Sequence, residues 1–393
     1  LQQCIHNGFG LRKFKKELTG PGYAHRYAEM VKAVGIDVWL DSTVLSAAEG
    51  GVITTVSPHK GLRVAIAESV VYAMGCRERT RGAIRIPGSR PAGVYTAGAA
   101  QKMVNIEGYL PGREVVIVGS GDIGLIMARR MACESAHVKA VFEIMPHSNG
   151  LTRNIVQCLD DFGIPLFLSH SVVAVHGIDR VTGITVAKVD DHLKPIEGTE
   201  FDLDCDCLLL SVGLIPENDL GRDIGLKIDR VTGGAIVDQF RRTSIPGFFA
   251  AGNVLHVHDL VDLVAQESET AGKSAALNAI GKLPEVGDTG HIPVIAGGAV
   301  RSVVPQKLAP AGAEATVRFY LRASHPMDKS ILKLHAGRRL IWERDLKVVK
   351  PSEMIVAEIL WRKIGAAKDL TFSIEPAPAE HDGAGETKME ELA

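Results

Sequence analysis

The clearest pattern of hydrophobic and polar positions lies between residues 113 and 144. An unbroken apolar run, Val115–Val118, is followed by a glycine-rich turn and then by about a dozen residues with the spacing of an amphipathic helix. A second apolar run covers residues 138–144. Strand, helix and strand in this order predict a βαβ unit, which opens an α/β domain with a parallel sheet.

The segments on either side of this unit also have regular patterns. Residues 23–35 have helical spacing, and residues 51–56 and 63–74 alternate as strands do. After the unit, further strands are predicted at residues 165–169, 171–176, 184–189 and 207–212, and a helix at 264–280. Beyond Pro284 the pattern predicts a small β domain without a nucleotide-type glycine turn, with strands at 315–323, 330–335, 338–342 and 345–349.

Composition limits the class of protein. The 393 residues are enough for two or three domains at roughly 150 residues each. The 44 Lys and Arg residues against 46 Asp and Glu give a net charge of −2, without the basic excess that sequence-general nucleic-acid binding requires. No apolar run approaches the roughly 18 residues of a membrane span. Six unevenly spaced cysteines do not form a disulfide framework, which favours a reducing, cytoplasmic compartment.

The glycine turn carries the strongest chemical signal. In Gly119-Ser120-Gly121-Asp122-Ile123-Gly124 the first glycine permits the turn, the second lets backbone N–H groups approach a pyrophosphate, and the third allows close helix packing. Glu143 ends the next predicted strand, where a carboxylate accepts a ribose 2′-hydroxyl and repels a 2′-phosphate. The pattern predicts an NAD site. Arg153 could shift the choice towards NADP, and a fortuitous glycine turn is the alternative.

Three further short motifs occur in order: Ala73-Met74-Gly75, residues 211–216 around Gly213, and Gly252-Asn253. Together with the glycine turn they resemble the pyridine nucleotide-disulfide oxidoreductases, flavoproteins with two dinucleotide-binding domains. The first resembles the Ala-Thr-Gly segment that crosses into the NAD domain, with Met for Thr, and the second resembles the return segment. The third resembles the Gly-Asp motif at the flavin ribityl chain, with Asn for Asp, and Asn can still hydrogen-bond a hydroxyl.

Within that family the chain is similar to the flavoprotein subunit found beside glycerol-3-phosphate-dehydrogenase-like oxidases. It is also similar to the α subunits of opine oxidase, hydrogen cyanide synthase and multisubunit proline dehydrogenase. Residues 4–10, 75–81 and 252–259 carry this likeness.

The resemblance implies an α/β fold of two Rossmann-like dinucleotide-binding domains, the FAD domain being interrupted by the NAD domain, plus a small C-terminal β domain. The expected ranges are 1–102 and 216–283 for the FAD domain, 103–215 for the NAD domain, 284–375 for the β domain and 376–393 for a disordered tail. The family begins with its own glycine turn for FAD, and nothing before Cys4 supplies it. We therefore expect an FAD domain that is incomplete at its N-terminal side, through loss of the first few dozen residues, or a form that holds FAD weakly.

Cysteine positions bear on the reaction class, because dithiol reductases need two nearby cysteines. By resemblance Cys4 falls where the family's disulfide loop lies, yet no partner cysteine follows closely. Cys4 is a candidate lone thiolate beside the flavin, helped by His6, or else a small buried residue. Cys205 and Cys207 are two residues apart, so we expect them to share one face of a strand. We also expect them to be core residues, because a single Cys pair does not make a metal centre.

Two histidines, His256 and His258, and two acids, Asp259 and Asp262, follow Asn253 directly. By family analogy this loop runs beside the flavin ring, and we predict a proton-handling or ring-polarising role for the histidines. Metal ligation is possible on composition but is not the prediction, and helix capping by Asp259 or Asp262 is the alternative.

The main hypothesis is a flavin-dependent NAD(P)H oxidoreductase subunit that passes hydride between NAD and FAD. Its electrons would be exchanged with a partner dehydrogenase, oxidase subunit or small redox protein, within an oligomer. The rival hypothesis is a non-catalytic, nucleotide-binding scaffold subunit of a dehydrogenase complex. A dithiol reductase of the thioredoxin reductase kind is a weaker third.

Overall fold

The computed structural model describes residues 1–284, 290–365 and 367–378. Its first part has short strands and helices, with bounds β1 (Asn7–Phe9), β2 (Leu18–Thr19), α1 (Gly20–Ala33), β3 (Thr43–Ala48), β4 (Val52–Ser57), β5 (Gly61–Ile66), β6 (Val70–Tyr72), β7 (Cys76–Glu78), α2 (Arg81–Ile84), β8 (Val94–Thr96) and α3 (Ala97–Lys102). Helix α1 starts earlier than its apolar pattern predicts because Thr19 caps it, its Oγ1 accepting the Gly22 N–H at 3.2 Å. Strands β3, β4 and β5 form an antiparallel meander.

The predicted βαβ unit follows and belongs to a larger α/β assembly. Its elements are β9 (Glu114–Val118), α4 (Asp122–Cys133), β10 (His137–Glu143), α5 (Thr152–Cys158), β11 (Leu166–Leu168), β12 (His170–His176), β13 (Gly183–Lys188), β14 (Phe201–Asp204) and β15 (Cys207–Leu210). Five strands form one parallel sheet in the order β11-β10-β9-β15-β8. The apolar run in β9 is unbroken because both faces of this strand are covered.

Two different layers cover that sheet. On one face α4 packs with Leu125, Ala128 and Met131 against Val115 and Ile117 of β9. On the other face the antiparallel sheet β12-β13-β14 packs its valines and isoleucines. In such sheets ligands bind at the carboxyl ends of the parallel strands.

The chain then returns to the first part through β16 (Leu214–Pro216), α6 (Asp219–Asp223), β17 (Phe248–Ala250) and α7 (Val261–Ala279). Strand β16 pairs antiparallel with β7, so the outgoing and returning segments are joined as a two-stranded ribbon. An ion pair between Arg77 and Glu217, at 2.6 Å, fastens this ribbon. Strand β17 pairs in parallel with β6.

The last part is a β sandwich, with β18 (Ile292–Ala296), β19 (Val300–Val304), β20 (Lys307–Leu308), β21 (Thr316–Ala323), β22 (Ser330–Ala336), β23 (Arg339–Leu346), β24 (Ile355–Leu360), α8 (Trp361–Ile364) and β25 (Leu370–Pro376). One sheet has the order β20-β18-β25-β22-β23 and the other β19-β21-β24. Their inner faces share one apolar core, in which the Phe319 and Phe372 rings meet edge to face at 4.9 Å.

Several predicted elements differ from those observed. Residues 63–74 form two strands, because the chain turns at residues 67–69. The two strands predicted at 338–342 and 345–349 form a single strand, β23, because β23 pairs with β22 along its whole length. The domain ranges stay predictions, and residues 379–393 of the predicted tail lie outside the described residues. Among the described helices, none is both long and apolar enough to cross a membrane.

Candidate functional site

The three glycines of the turn between β9 and α4 differ in what their neighbours allow. A Cβ atom at Gly119 would lie 2.1 Å from the Ser211 carbonyl oxygen, and one at Gly124 would lie 2.5 Å from the Gly119 carbonyl oxygen. Both glycines are therefore required by packing. A Cβ at Gly121 would approach nothing nearer than 3.9 Å, and its φ of −67° suits any residue. The turn thus leaves open space at the N-terminus of α4, beside Gly121, that the protein itself does not fill.

Glu143 joins this turn to the end of β10. One carboxylate oxygen accepts the backbone N–H of Ser120 at 2.9 Å and its hydroxyl at 2.6 Å, while the other accepts the Met145 N–H at 3.0 Å. The side chain is buried, at 4% exposed. A carboxylate has about four acceptor positions, so the protein's own donors use most of them. Contact of Glu143 with a ribose stays a prediction, and its observed role is to fix the turn.

The other predicted residues of the turn have separate tasks. Asp122 stands in the first turn of α4 and accepts the Leu151 N–H at 2.8 Å and the Asn154 side-chain amide at 2.7 Å. It therefore ties the following segment to the turn. Ile123 packs against the helix-side core of the sheet. Gly213 lies apart, in the returning segment, where its carbonyl accepts the Arg79 N–H at 2.9 Å.

The two flavin-like motifs meet in space because β6 and β17 are parallel neighbours. The residues after β6 are Ala73, Met74 and Gly75, and those after β17 include Gly252 and Asn253. Parallel strands place their carboxyl ends at the same edge. The Asn253 side-chain nitrogen lies 3.6 Å from the sulfur of Cys76, directly after the first motif.

The amide orientation of Asn253 follows from its contacts. Its side-chain oxygen accepts the backbone N–H of His258 at 3.0 Å, and a backbone N–H can only donate. The nitrogen therefore points to the Cys76 sulfur, a weak acceptor. Asn253 therefore presents a donor on this side of the turn.

A buried cluster stands behind this turn. Glu267 of α7 is 0% exposed. Its carboxylate accepts hydrogen bonds from the Arg241 guanidinium and from both histidine rings, each at 3.0 Å, and from the Gly252 N–H at 2.9 Å. The two imidazole rings lie 4.1 Å apart, and Tyr320 of β21 packs within 5.5 Å of both. A side chain of the sandwich thus packs directly against the cluster.

Burial sets the protonation of the cluster. It lowers the pKa of His256 to about 4, outweighing the attraction of Glu267, so this ring is neutral near pH 7. The two histidines and Arg241 hold the pKa of Glu267 well below its usual value, although burial acts the other way. His256, His258 and Glu267 also bring three possible metal ligand atoms within 4.8 Å of one another. The predicted proton-handling role of the histidines stays a prediction. The neutral His256 ring lacks the extra proton that an imidazolium would donate as a general acid.

Neither acid of the loop caps α7, whose N-cap residue is Leu260 without a side-chain bond, so the capping alternative is wrong. Asp259 pairs with Arg322 of β21 and accepts the Met354 N–H at 2.6 Å. Asp262 accepts the Arg12 N–H at 2.8 Å. Both acids instead hold this loop to neighbouring segments.

Cys4 and His6 each bond to a different neighbour rather than to each other. The Cys4 sulfur lies 3.6 Å from the Gln101 side-chain oxygen, and His6 contacts the Asn7 carbonyl at 2.9 Å. Burial raises the pKa of the Cys4 thiol, which favours the neutral thiol over the predicted thiolate. A thiolate role for Cys4 stays a prediction that its surroundings do not assist.

Cys205 and Cys207 are buried, as predicted, and burial raises the pKa of their thiols to about 11 and about 12. They belong to different core clusters, however, so the expectation of one shared face is wrong. The reason is that β15 begins only at Cys207, and strand alternation does not extend back to Cys205.

Sequence reasoning missed Glu267, Arg241 and Tyr320. For Glu267 a signal exists, since it lies on the buried stripe of α7 with Leu263 and Ala271, four residues away on either side. An acid on an apolar stripe needs a buried partner. For Arg241 and Tyr320, which come from a loop and from the sandwich, no local pattern indicates the contact.

Comparison with known proteins identifies the family. A model of the pyridine nucleotide-disulphide oxidoreductase family matches residues 5–275, and the chain belongs to this family. Its resemblance to that family, predicted from the motifs, is thereby confirmed. The crystal structure of thioredoxin reductase from T. acidophilum superposes on 71% of this chain, which is 87% of that structure, with a TM-score of 0.57 and 24% sequence identity. The two proteins share an α/β fold.

Curated relatives agree with this assignment. An opine oxidase subunit of Agrobacterium tumefaciens (strain Ach5) is 24% identical over 259 residues, which is 63% of this chain and 50% of the relative. The probable ferredoxin reductase CtmF of Castellaniella defragrans is 29% identical over 198 residues, which is 48% of this chain and 43% of the relative. The chain therefore spans about half the length of the curated relatives it matches.

The buried His256 ring predicts a pH dependence of stability. Its folded pKa lies below the unfolded value, so below about pH 6.5 the unfolded chain binds the extra proton and the folded state loses stability as pH falls. Gln at 256 keeps a donor but does not titrate. Between pH 6.5 and 4.5 the unfolding free energy of the wild type should fall relative to His256→Gln by up to about 1.4 kcal/mol per pH unit.

Urea unfolding at several pH values measures this difference. His59→Gln, at an exposed turn position, is the matched control and should follow the wild type throughout. A constant difference between wild type and His256→Gln over that range contradicts a buried neutral ring.

Proposed function

We propose that this protein is a flavin-dependent oxidoreductase subunit that binds NAD and FAD. When both are bound, hydride passes between nicotinamide and flavin, and the electrons are exchanged with a partner dehydrogenase, oxidase subunit or small redox protein. The observation that carries the proposal is the open space beside Gly121. Packing explains Gly119 and Gly124, whereas Gly121 is a glycine that only a closely approaching ligand requires.

The surroundings of that space suit a pyrophosphate. It lies at the first turn of α4, a 12-residue helix, where unpaired backbone N–H groups and the positive end of the helix dipole favour an anion. Glu143 holds the turn through the N–H and hydroxyl of Ser120. Its buried negative charge disfavours a second phosphate on the ribose, which supports NAD over NADP.

The meeting of the two flavin-like motifs supports FAD. Asn253 offers its side-chain nitrogen as a donor to a ribityl hydroxyl, since its oxygen is already used by His258. Gly75 and Gly252 both have positive φ, +77° and +76°, and at these two positions no Cβ projects towards the space where the chain of the flavin would run.

Two further features bear on partners and compartment. By their names, the two curated relatives are a subunit of an opine oxidase and a probable ferredoxin reductase. We assign a similar arrangement, with a partner subunit or redox protein, to this chain. All six cysteines are free, which supports a reducing, cytoplasmic location.

The space beside Gly121 is tested by filling it. A Cβ atom at position 121 meets nothing nearer than 3.9 Å, so Gly121→Val should fold, and its thermal unfolding checks this. Its side chain would occupy the phosphate position, and NADH binding measured by calorimetry should weaken by at least about tenfold. Gly82→Ala, another uncrowded glycine, should bind NADH as the wild type does. Equal NADH affinity in Gly121→Val and wild type would remove the observation on which the proposal depends.

Cofactor choice is tested at Glu143. Glu143→Gln keeps the size of the side chain and removes the charge that opposes a 2′-phosphate. The ratio of NADPH to NADH affinity should rise by about tenfold, since one charge contact differs between the two ligands. Glu114→Gln, at the other end of the sheet, serves as the control. A ratio that does not change in Glu143→Gln overturns the assignment of NAD to this residue.

A further inference from the structure

We propose that Glu267 is a positioning residue, which fixes the Gly252–Asn253 turn for the flavin through a hydrogen-bond network under the C-terminal sandwich. The network is closed at its centre, where four donors meet the Glu267 carboxylate, while the buried Nδ1 of His258 has no partner among the described residues. The flavin part of this inference rests on the proposed function. The network itself is a property of the protein without any ligand.

The first step is the hydrogen-bond inventory of the carboxylate. One oxygen accepts from Arg241 Nε and His256 Nε2, and the other accepts from the Gly252 N–H and His258 Nε2. Four donors match the roughly four acceptor positions of a carboxylate. Each imidazole must therefore carry a hydrogen on Nε2 in order to donate, and the lowered pKa of His256 makes that ring a neutral donor.

The second step connects the network to the turn. Gly252 is held directly, by its own N–H. Asn253 is held through His258, whose ring is fixed by Glu267 and whose backbone N–H, 3.0 Å away, orients the Asn253 amide. One carboxylate thus fixes both residues of the motif that faces the flavin.

The third step decides between this network and a metal ion at the same residues. Arg241 and Glu267 carry charges of opposite sign that sum to zero, and His256 is neutral. A divalent ion would leave a charge of +2 among side chains that are 0–7% exposed, with a guanidinium already on the same carboxylate. Burying uncompensated charge is costly, so the closed hydrogen-bond network is the better account.

The fourth step is the cover that the sandwich provides. The Tyr320 ring lies 5.4 Å from the His256 ring and 5.5 Å from the His258 ring, and the Arg241 guanidinium lies 5.5 Å from its centre. On the same strand, Arg322 binds Asp259 and the Val257 carbonyl, which lie in the loop of the two histidines. The sandwich therefore excludes water from the network and holds its loop.

The test compares two acids of α7. Glu267→Gln puts an amide nitrogen where donors converge, whereas Glu269→Gln changes a carboxylate that pairs with Lys13 at the surface. FAD binding, followed by fluorescence quenching, should weaken by at least about tenfold in Glu267→Gln and stay unchanged in Glu269→Gln. NADH binding should stay within about twofold in both, because the glycine turn lies on a separate sheet.

A second pair of variants covers the case in which Glu267→Gln fails to fold. His258→Gln keeps a donor that reaches the carboxylate, and His258→Leu does not. Hydrogen exchange of residues 252–258 in flavin-free protein should be slow in wild type and His258→Gln and at least about tenfold faster in His258→Leu. FAD affinity should follow the same order.

Each contrary outcome has its own meaning. Equal FAD affinity and equal hydrogen exchange in His258→Gln and His258→Leu overturn the network. An equal loss of NADH and FAD binding in Glu267→Gln also overturns it, because such a loss indicates general unfolding. One bound metal per chain by mass spectrometry, whose removal by a chelator speeds exchange at 252–258, replaces the network with a metal site. A wild type that binds no FAD contradicts the proposed function, while the exchange measurement still decides the network.

Discussion

The parallel pairing of β6 with β17 brings together two motifs that are far apart in the sequence. The pairing is short, three residues on each strand, yet it places Gly75 and Gly252 at one edge. Because so little backbone is paired, the edge needs other contacts to keep its shape. The Ala251 N–H donates to the Tyr72 carbonyl at 3.0 Å, and the Asn253 side-chain nitrogen contacts the Cys76 sulfur. The Gly252 N–H donates to the Glu267 carboxylate. The candidate flavin site depends on this small group of contacts.

The NAD side is built differently. Its glycine turn lies on a five-stranded parallel sheet that is covered on both faces, and the turn is closed by direct packing of Gly119 and Gly124. Its neighbours Ser211, directly after β15, and Glu143, at the end of β10, belong to strands that pair with β9 in the same sheet, so these contacts do not involve the sandwich. The flavin side instead draws on α7, the loop at Arg241 and strand β21 of the sandwich. This contrast suggests that changes in the sandwich affect the flavin site more than the NAD site.

Local sequence patterns were sufficient for the βαβ unit of the predicted NAD domain because its signals are local, although α5 and β14 of the same range were not predicted. An apolar run, a glycine turn and an amphipathic helix lie within thirty residues, and each element forms close to where its pattern predicts it. The family resemblance also located the two flavin-like motifs. The contacts of Glu143 with Ser120, of Glu267 with Arg241, and of Tyr320 with the histidines could not be predicted, because each depends on how separate segments pack. The sandwich strands β18, β19, β24 and β25 were missed, and for β25 length is not the reason, because it has seven residues like the predicted β22.

The central claim is that one chain holds both dinucleotides so that electrons pass between them. Its most direct test is the visible absorption spectrum of the purified protein after incubation with FAD, followed by addition of NADH without oxygen. The account predicts a flavin spectrum that remains after removal of free FAD and that bleaches with one equivalent of NADH. A protein that stays colourless, or a bound flavin that NADH does not bleach, would contradict it.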